Sequence, residues 1–516
     1  MKMIDQDLIQ RLLDGSYTKA AQPADWHGKT VDRICKHGEI YSHLEEKGEF
    51  DYRLESDSIG EKRVPKTAYY GVQTLRAAIN FPITGQRLHP YLIESIAELK
   101  KASAITNYTV GRLNEEKLQA ICQACDEIIA GYLHDAFIVD PIQGGAGTSV
   151  NMNANEVIAN RAIEILGGEK GDYSIVHPND AINFAQSTND VFPSCGKMAA
   201  IKLLIEAQSA LRDLESALLT KAEEFDDVLK MGRTQLQDAV PIRLGQEFTA
   251  YAEGIKRDIK RFDRAIECLS SLPMGGTAIG TGINADVNYV NNIVDNIVKV
   301  SHLTLKQADN LIDATQNLDC YTEASGIVKA CAVNLSKMSN DLRLLSSGPR
   351  CGFNEINLPA MQNGSSIMPG KVNPVIPEVV NQVAFNIIGN DTTITLACEA
   401  GQMELNAFEP VIFFNLFQSI ETLTQAIRTL IKNCINGITA NKEHCLDLVK
   451  HSIGIITALN PYIGYKHSAS IAKEAQKTGR EVAELILEHG VLNEEELKTI
   501  LDPKSMTQPG IKNNLL

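Results

Sequence analysis

No apolar run in this 516-residue sequence approaches the roughly 18 residues that a membrane-spanning helix requires. Basic charge is also scarce. Lys and Arg number 49 against 64 Asp and Glu, a formal net charge of −15. A general nucleic-acid binder would need a basic face, so that class is excluded. An anionic substrate is not, because a local cluster of donors overrides the global field. The N-terminus, MKMIDQDLIQRLLDGS, lacks a continuous apolar stretch and a small-residue cleavage pattern. It does not read as a secretory signal, and a soluble cytoplasmic protein is expected. Paired metal-ligand spacing is missing too. Eleven cysteines are scattered along the chain, and the only close pair is Cys122 and Cys125. Without a second pair or a histidine cluster, these read as two thiols on a helix, and no metal ligands are assigned. An odd thiol count suits a reducing compartment. The single tryptophan, Trp26, lies in a polar, charged stretch, 1–50, that reads as an appendage with weak core potential. Within it, DLIQRLLDG has the pattern of a short amphipathic helix.

Hydrophobic residues make up 44% of the chain, a globular composition, and the length allows two to four domains. Long helical patterns dominate from about residue 90. In 197–230, Ile201, Leu204, Leu211, Leu214, Leu218, Phe225 and Val228 recur at steps of three and four or their multiples. That spacing predicts one helix roughly 50 Å long. Such a helix exceeds what one compact domain needs and suggests a bundle shared between subunits. Similar patterns cover 245–270, 286–305, 320–346, 376–397 and 411–434. Strand signals are sparse, AFIVDPI (136–142) being one. From about 445 short helices alternate with turns, and Asn493 with Glu496 has capping-box spacing. No fixed-period repeat stands out.

Four polar loops interrupt the helices. In QGGAGTSVNMNANE (143–156) the dinucleotide fingerprint fails, because Val150 stands where a third small residue is needed. A Gly-rich loop presenting Thr148 and Ser149 at a helix N-terminus, as a place for a carboxylate, fits better. In HPNDAINFAQSTNDVFP (177–193), Ser187, Thr188 and Asn189 stand together. Helix capping explains one of them but not the cluster. GRTQLQDAVP (232–241) carries Arg233, Thr234, Gln235 and Gln237, either as a plain inter-helix turn or as a polar site element. NGSSIMPGKVNPVIPE (363–378) fails the phosphate-loop test, with five residues between Gly364 and Gly370 and Val372 after Lys371. It fails the nucleophile-elbow test as well, since the loop reads Gly-Ser-Ser-Ile-Met. Met368, Pro369 and Val372 are costly to expose in a merely flexible loop.

GSSIMPGKVNP, QSTNDVFP and GRTQLQDAVP together resemble the signature motifs of the fumarase/aspartase superfamily, and the resemblance runs from about residue 52 to near 510. PIQGGAGTSVNMNANEVIAN, LKMGRTQLQDAVP, LRLLSSGPRCGFNEINLP and NCINGITANKEHC look like its aspartase branch. Gln235 stands where fumarate hydratases typically carry histidine. A fumarate hydratase or another fumarate-releasing lyase is the alternative, and a non-catalytic scaffold protein is a third reading. Residues 1–50 depart from the family's pattern.

The resemblance implies a mainly α-helical, three-domain fold, here divided at 51–188, 189–442 and 443–516. It implies a homotetramer with a twenty-helix core and active sites shared by three subunits. The activity implied is reversible β-elimination of ammonia from L-aspartate to give fumarate through an enediolate. By the family's pattern Ser365 is the base, on a mobile loop hinged near Gly364 and Gly370, supported by Lys371 and backbone N–H groups. Thr148, Ser187, Thr188 and Ser366 match positions binding the carboxylate that becomes the enediolate. Thr234, Lys371 and Asn373 match those holding the other carboxylate, and Asn189 and Gln235 those near the amino group. Glu378 matches the acid that pairs with histidine in fumarases, a pairing Gln235 prevents. No cofactor is required by this chemistry, although magnesium activates some members. Neither nucleic acid nor membrane is an expected partner.

Overall fold

The computed structural model describes residues 6–13 and 51–510. Down the chain, helix α1 (Gln6–Leu13) precedes the antiparallel strands β1 (Tyr52–Asp57) and β2 (Gly60–Pro65). Helices α2 (Val72–Asn80), α3 (Pro90–Thr109), α4 (Glu115–Ile129), α5 (Thr148–Ile165) and α6 (Thr188–Glu224) follow. A hairpin, β3 (Leu229–Thr234) and β4 (Gln237–Arg243), leads into α7 (Leu244–Leu269) and α8 (Val287–Ser301). The long helices α9 (Asp319–Leu345), α10 (Val375–Glu399) and α11 (Glu409–Asn433) come next, before a run of short helices. The architecture is mainly helical, and among the described residues strands occur only in two-stranded pairs. No helix among them is long and apolar enough to cross a membrane.

The helical periods hold. All seven apolar positions read for the long helix are buried. Its limits shift, however. The helix begins at Thr188 and ends at Glu224, 37 residues or about 55 Å. Residues 229–234 pair instead with β4, Leu229 opposite Arg243, so Val228 packs from the approach to a strand. AFIVDPI is not a strand. Phe137, Ile138 and Val139 are buried, but Asn153 of α5 serves this backbone in place of a neighbouring strand. Asn153 Nδ2 donates to the Ala136 carbonyl at 2.9 Å, and the Ile138 N–H donates to Asn153 Oδ1 at 3.0 Å. The capping box at Asn493 and Glu496 is present in both directions.

The chain forms two compact units. The first comprises residues 1–206, 262–329 and 387–421. Here α3 packs against α4 and α8, and α4 against α5. Tyr289 donates to Ser103 Oγ at 3.2 Å and Asn296 Nδ2 to Thr106 Oγ1 at 2.9 Å, which fixes α8 along α3. The amphipathic helix expected near the N-terminus exists as α1. Leu8, Ile9, Leu12 and Leu13 are buried, against the weak core potential expected there, and α1 meets α8. Trp26 lies outside the described residues. Cys122 and Cys125 are buried thiols on α4, as expected.

Glu409, the first residue of α11, has no hydrogen-bond partner for Oε1, and burial pushes its carboxyl up to about 8 against the pull of Lys197. The unfolded chain releases this proton near the ordinary carboxylate value, about 4.3, whereas the folded chain keeps it to about 8. Between those values the folded state binds more protons, so stability falls as pH rises. Glu409→Gln is expected to match the parent near pH 5 and to exceed it at pH 8 by roughly 2–4 kcal/mol. Thermal melts of both proteins across that range check the crossover.

The second unit comprises residues 207–261, 330–386 and 422–516. Leu229 and Met231 of β3 share an apolar core with Val449, Ile455, Leu459, Leu485 and Ile486 of the C-terminal helices. The hairpin therefore stands on a packed base, and its tip projects from it.

Candidate active site

The expected site residues fall into three groups. The first lies where α5 and α6 begin. Gly145, Ala146 and Gly147 all take left-handed backbone, with φ of 89°, 54° and 84°. At Gly147 no other residue fits, since a Cβ would lie 2.2 Å from the Phe192 ring. This tight entry starts α5 at Thr148 and presses it against the first turns of α6. Thr148 is exposed and donates through Oγ1 to the Gly145 carbonyl at 2.7 Å.

Ser187 caps α6. Its Oγ accepts from the Asn189 N–H at 3.2 Å, and its own N–H donates to Asp190 Oδ1 at 2.9 Å. Asp190 is fully buried, and its other oxygen accepts from the N–H groups of Thr277 (2.9 Å) and Gly275 (3.3 Å). Burial pushes this carboxyl up to about 7 despite those bonds. It staples the start of α6 to the 273–282 loop, which the sequence reading passed over. Asn189 Nδ2 donates to the Ala278 carbonyl of the same loop at 2.7 Å, so its Oδ1 is the free end of the amide. Thr188 Oγ1 accepts from Asn151 Nδ2 at 3.0 Å, which ties it to the helix that Thr148 begins. Capping thus accounts for Ser187 and leaves Thr188 and Asn189 for another purpose. Two helix N-termini, one with the exposed hydroxyl of Thr148 and one with the half-buried hydroxyls of Ser187 and Thr188, favour an anion.

The second group is the hairpin tip. The loop is not a plain inter-helix turn. Thr234 pairs with Gln237 across two residues, Gln235 and Leu236, that both adopt positive φ (55° and 62°). Two-residue hairpins need this geometry to match strand twist, yet Asn or Gly normally supplies it. Holding it with Gln and Leu stores backbone strain that the base must oppose. Arg233 supplies that support. Its Nη1 donates to Glu355 Oε1 at 2.8 Å, and its guanidinium lies 4.2 Å from the centre of the Phe353 ring. Glu355 is fully buried and also ion-pairs with Lys230 at 3.3 Å, while Lys230 bonds Glu247 at 2.8 Å. Glu355 and Phe353 belong to the GFNEINLP motif, which the sequence reading used only for family likeness. Thr234 and Gln235 are exposed.

The third group is the 363–373 loop. It closes on itself: the Gly364 N–H donates to the Lys371 carbonyl at 2.9 Å and Asn373 Nδ2 to the Gly364 carbonyl at 3.0 Å. A Cβ on Gly364 would lie 2.5 Å from the Lys371 oxygen, and Gly370 takes φ 82°. Ser365 Oγ accepts from two backbone N–H groups, Ile367 at 3.2 Å and Met368 at 3.1 Å. Ser366 and Lys371 face solvent. Met368 and Val372 do so as well, and Ile367 is 84% exposed, so the cover expected for this loop is not supplied among the described residues. The loop runs directly into α10, where Glu378 sits in the first turn. Among the described residues no hydrogen bond or ion pair joins this loop to the hairpin tip, and no group of three or more His, Cys, Asp or Glu is placed to hold a metal ion.

A lyase family profile matches residues 60–389, and a profile of the fumarase C C-terminus matches 455–508. An aspartate ammonia-lyase of a Bacillus species is 56% identical over 461 residues, covering 89% of this chain and 98% of that one. Among solved structures, the fumarate lyase:delta crystallin of Brucella melitensis superposes with a TM-score of 0.87 at 49% identity, over 89% of this chain and all of that one. The class II fumarase of Schistosoma mansoni gives 0.84 at 34% identity, over 88% of this chain and 99% of that one. With a lyase profile over residues 60–389 and a 56% identical relative over 89% of its length, the chain belongs to the fumarase/aspartase superfamily of lyases.

Proposed function

We propose that this lyase deaminates L-aspartate reversibly to fumarate and ammonia. The identity to ammonia-lyases, 56% against 34% for a fumarase, supports that direction of the family's chemistry. The single structural observation that carries it is Ser365 Oγ with two backbone N–H groups already aimed at it. Hydrogen bonds to the charged form lower the pKa of a weak acid, and exclusion of water by loop closure makes each one stronger.

Ser365, acting as the alkoxide that those donors stabilise, takes the proton from the carbon beside one carboxylate and is left as the neutral hydroxyl. The electron pair moves into that carboxylate, which becomes a doubly charged enediolate. Thr148, Ser187, Thr188 and Ser366 hold it, while Thr234, Lys371 and Asn373 hold the other carboxylate. The pair then returns to form the double bond as the carbon–nitrogen bond breaks. An ammonium leaves as neutral ammonia without needing an acid, so a neutral Gln235 is sufficient there. The free Oδ1 of Asn189 is an acceptor suited to the ammonium. The chemistry draws on side chains and backbone alone, and no cofactor is assigned to it.

The three groups also support a homotetramer whose sites combine three subunits, because each group is self-contained and faces solvent. On α10, Phe385 (63% exposed), Ile388 and Leu396 (64%) lie within about 80° of arc, beside Gly389, which has open space around it. Burying each large side chain is worth about 1.5–3 kcal/mol, so this stripe favours a partner helix. The ten described cysteines are all unpaired, which supports a reducing, cytoplasmic setting.

Purified protein offered L-aspartate, L-malate and argininosuccinate in turn, with fumarate followed by its ultraviolet absorbance, is expected to respond to aspartate. Fumarate from malate and none from aspartate would replace the ammonia-lyase by a hydratase.

A further inference from the structure

Helix α3 buries a lysine that the mechanism above does not use. Lys100 is 1% exposed, and its Nζ donates to Asn183 Oδ1 at 2.9 Å and to Gln186 Oε1 at 3.0 Å. Asn183 Oδ1 also accepts from Asn151 Nδ2 at 3.1 Å, and the same Nδ2 donates to Thr188 Oγ1 at 3.0 Å. These four side chains form an unbroken line from a buried amine to a hydroxyl at the candidate site.

The direction of every bond in that line is forced. A lysine ammonium has donors only, so the amide oxygens of Asn183 and Gln186 must face it. Burial pushes Lys100 down to about 7, and where the neutral amine could also accept, the amides are still held in this sense because Asn183 Nδ2 donates to the Gln186 carbonyl at 3.3 Å and Gln186 Nε2 to the Ile182 carbonyl at 3.0 Å. With Asn183 Oδ1 turned towards Lys100, Asn151 must present its NH2, because its own oxygen there would meet another oxygen. Asn151 Oδ1 is consequently left buried with no partner, a cost the arrangement carries rather than turning the amide over. The Asn151 NH2 then occupies a lone pair of Thr188 Oγ1. The Thr188 proton has no acceptor among the described residues.

We propose that Lys100, Asn183 and Asn151 are positioning residues whose hydrogen-bond polarity compels the Thr188 hydroxyl to act as a donor towards the substrate carboxylate. A threonine hydroxyl left to itself can donate or accept, and an accepting oxygen repels an enediolate. The relay settles this choice before substrate arrives, which is preorganisation by orientation. It rests on the reading that Thr188 binds the carboxylate that becomes the enediolate.

Asn151→Asp keeps the shape but can only accept, so it turns the Thr188 proton inward. Asn151→Leu removes the donor without adding charge and covers the case in which a buried carboxylate blocks folding. Each is crossed with Thr188→Val in a double-mutant cycle, reading kcat and KM for aspartate on proteins whose melting curves match the parent. Thr188→Val alone is expected to cost about 10²-fold in kcat/KM, the usual loss for one donor to an oxyanion. Each Asn151 variant is expected to lose at least about tenfold, mostly in kcat, and adding Thr188→Val to Asn151→Asp should lower activity no further than Thr188→Val does alone. Additive losses, or Asn151 variants that turn over normally, would overturn the relay while leaving Thr188 in its role. A Thr188→Val protein with unchanged kinetics would overturn both.

Discussion

Ser365→Ala is expected to lower kcat for aspartate by about 10²–10⁴-fold or more while leaving KM within a few-fold of the parent value. The asymmetry follows from where the hydroxyl acts. Removing one Oγ takes away the proton acceptor needed in the transition state but none of the groups that grip the carboxylates. The two N–H groups on Ser365 Oγ come from Ile367 and Met368, which are both exposed in the loop. In the variant both N–H groups lose that acceptor but remain open to water, while the Gly364–Lys371 and Asn373–Gly364 hydrogen bonds still close the loop, so any loss reads on chemistry rather than on folding. Steady-state rates by fumarate absorbance, with melting curves of both proteins, decide it. Turnover within a few-fold of the parent would remove Ser365 from the role of base.

What the sequence made legible depended on the length scale of the signal. The long helices declare themselves because burial repeats every three or four residues, and the five apolar positions from Ile201 to Leu218 that lie within α6 are all buried. The hairpin at 229–243 was invisible because its turn is Gln235-Leu236, with neither the Asn nor the Gly that marks such turns, and its ladder is broken by a register shift between Met231 and Arg233. The strand expected at 136–142 failed for the converse reason. Its residues have strand composition, but Asn153 takes the place of a strand partner, and no local pattern announces that. The polar loops were readable through their motifs, whereas their supports were not. Lys100 sits in ELKKASAITNY, where no motif or spacing marks either of the two adjacent lysines, and both are buried. Glu355 and Asp190 act on residues distant in sequence or as backbone acceptors, and neither leaves a spacing to count.

Co-expression of Ser365→Ala with Thr188→Val should restore activity that neither variant has alone, to about one quarter of the parent level. The argument is combinatorial. Ser365 belongs to the 363–373 loop and Thr188 to the start of α6, and the proposed site draws these groups from different subunits. In a randomly mixed tetramer, a site is intact when its loop comes from the Thr188→Val chain and its helix start from the Ser365→Ala chain. Each has a chance of about one half, so about one site in four carries neither lesion. If both residues served the same site from one chain, every site would carry a lesion whatever the mixture, and activity would stay at the level of the single variants. The exposed Phe385, Ile388 and Leu396 on α10 make assembly during co-expression the expected outcome, since that stripe is left uncovered among the described residues. Tagging the two chains differently and isolating the mixed species separates failure to mix from failure to complement. Mixed tetramers with no gain in fumarate production would confine the site to a single chain and require a different account of the three exposed groups.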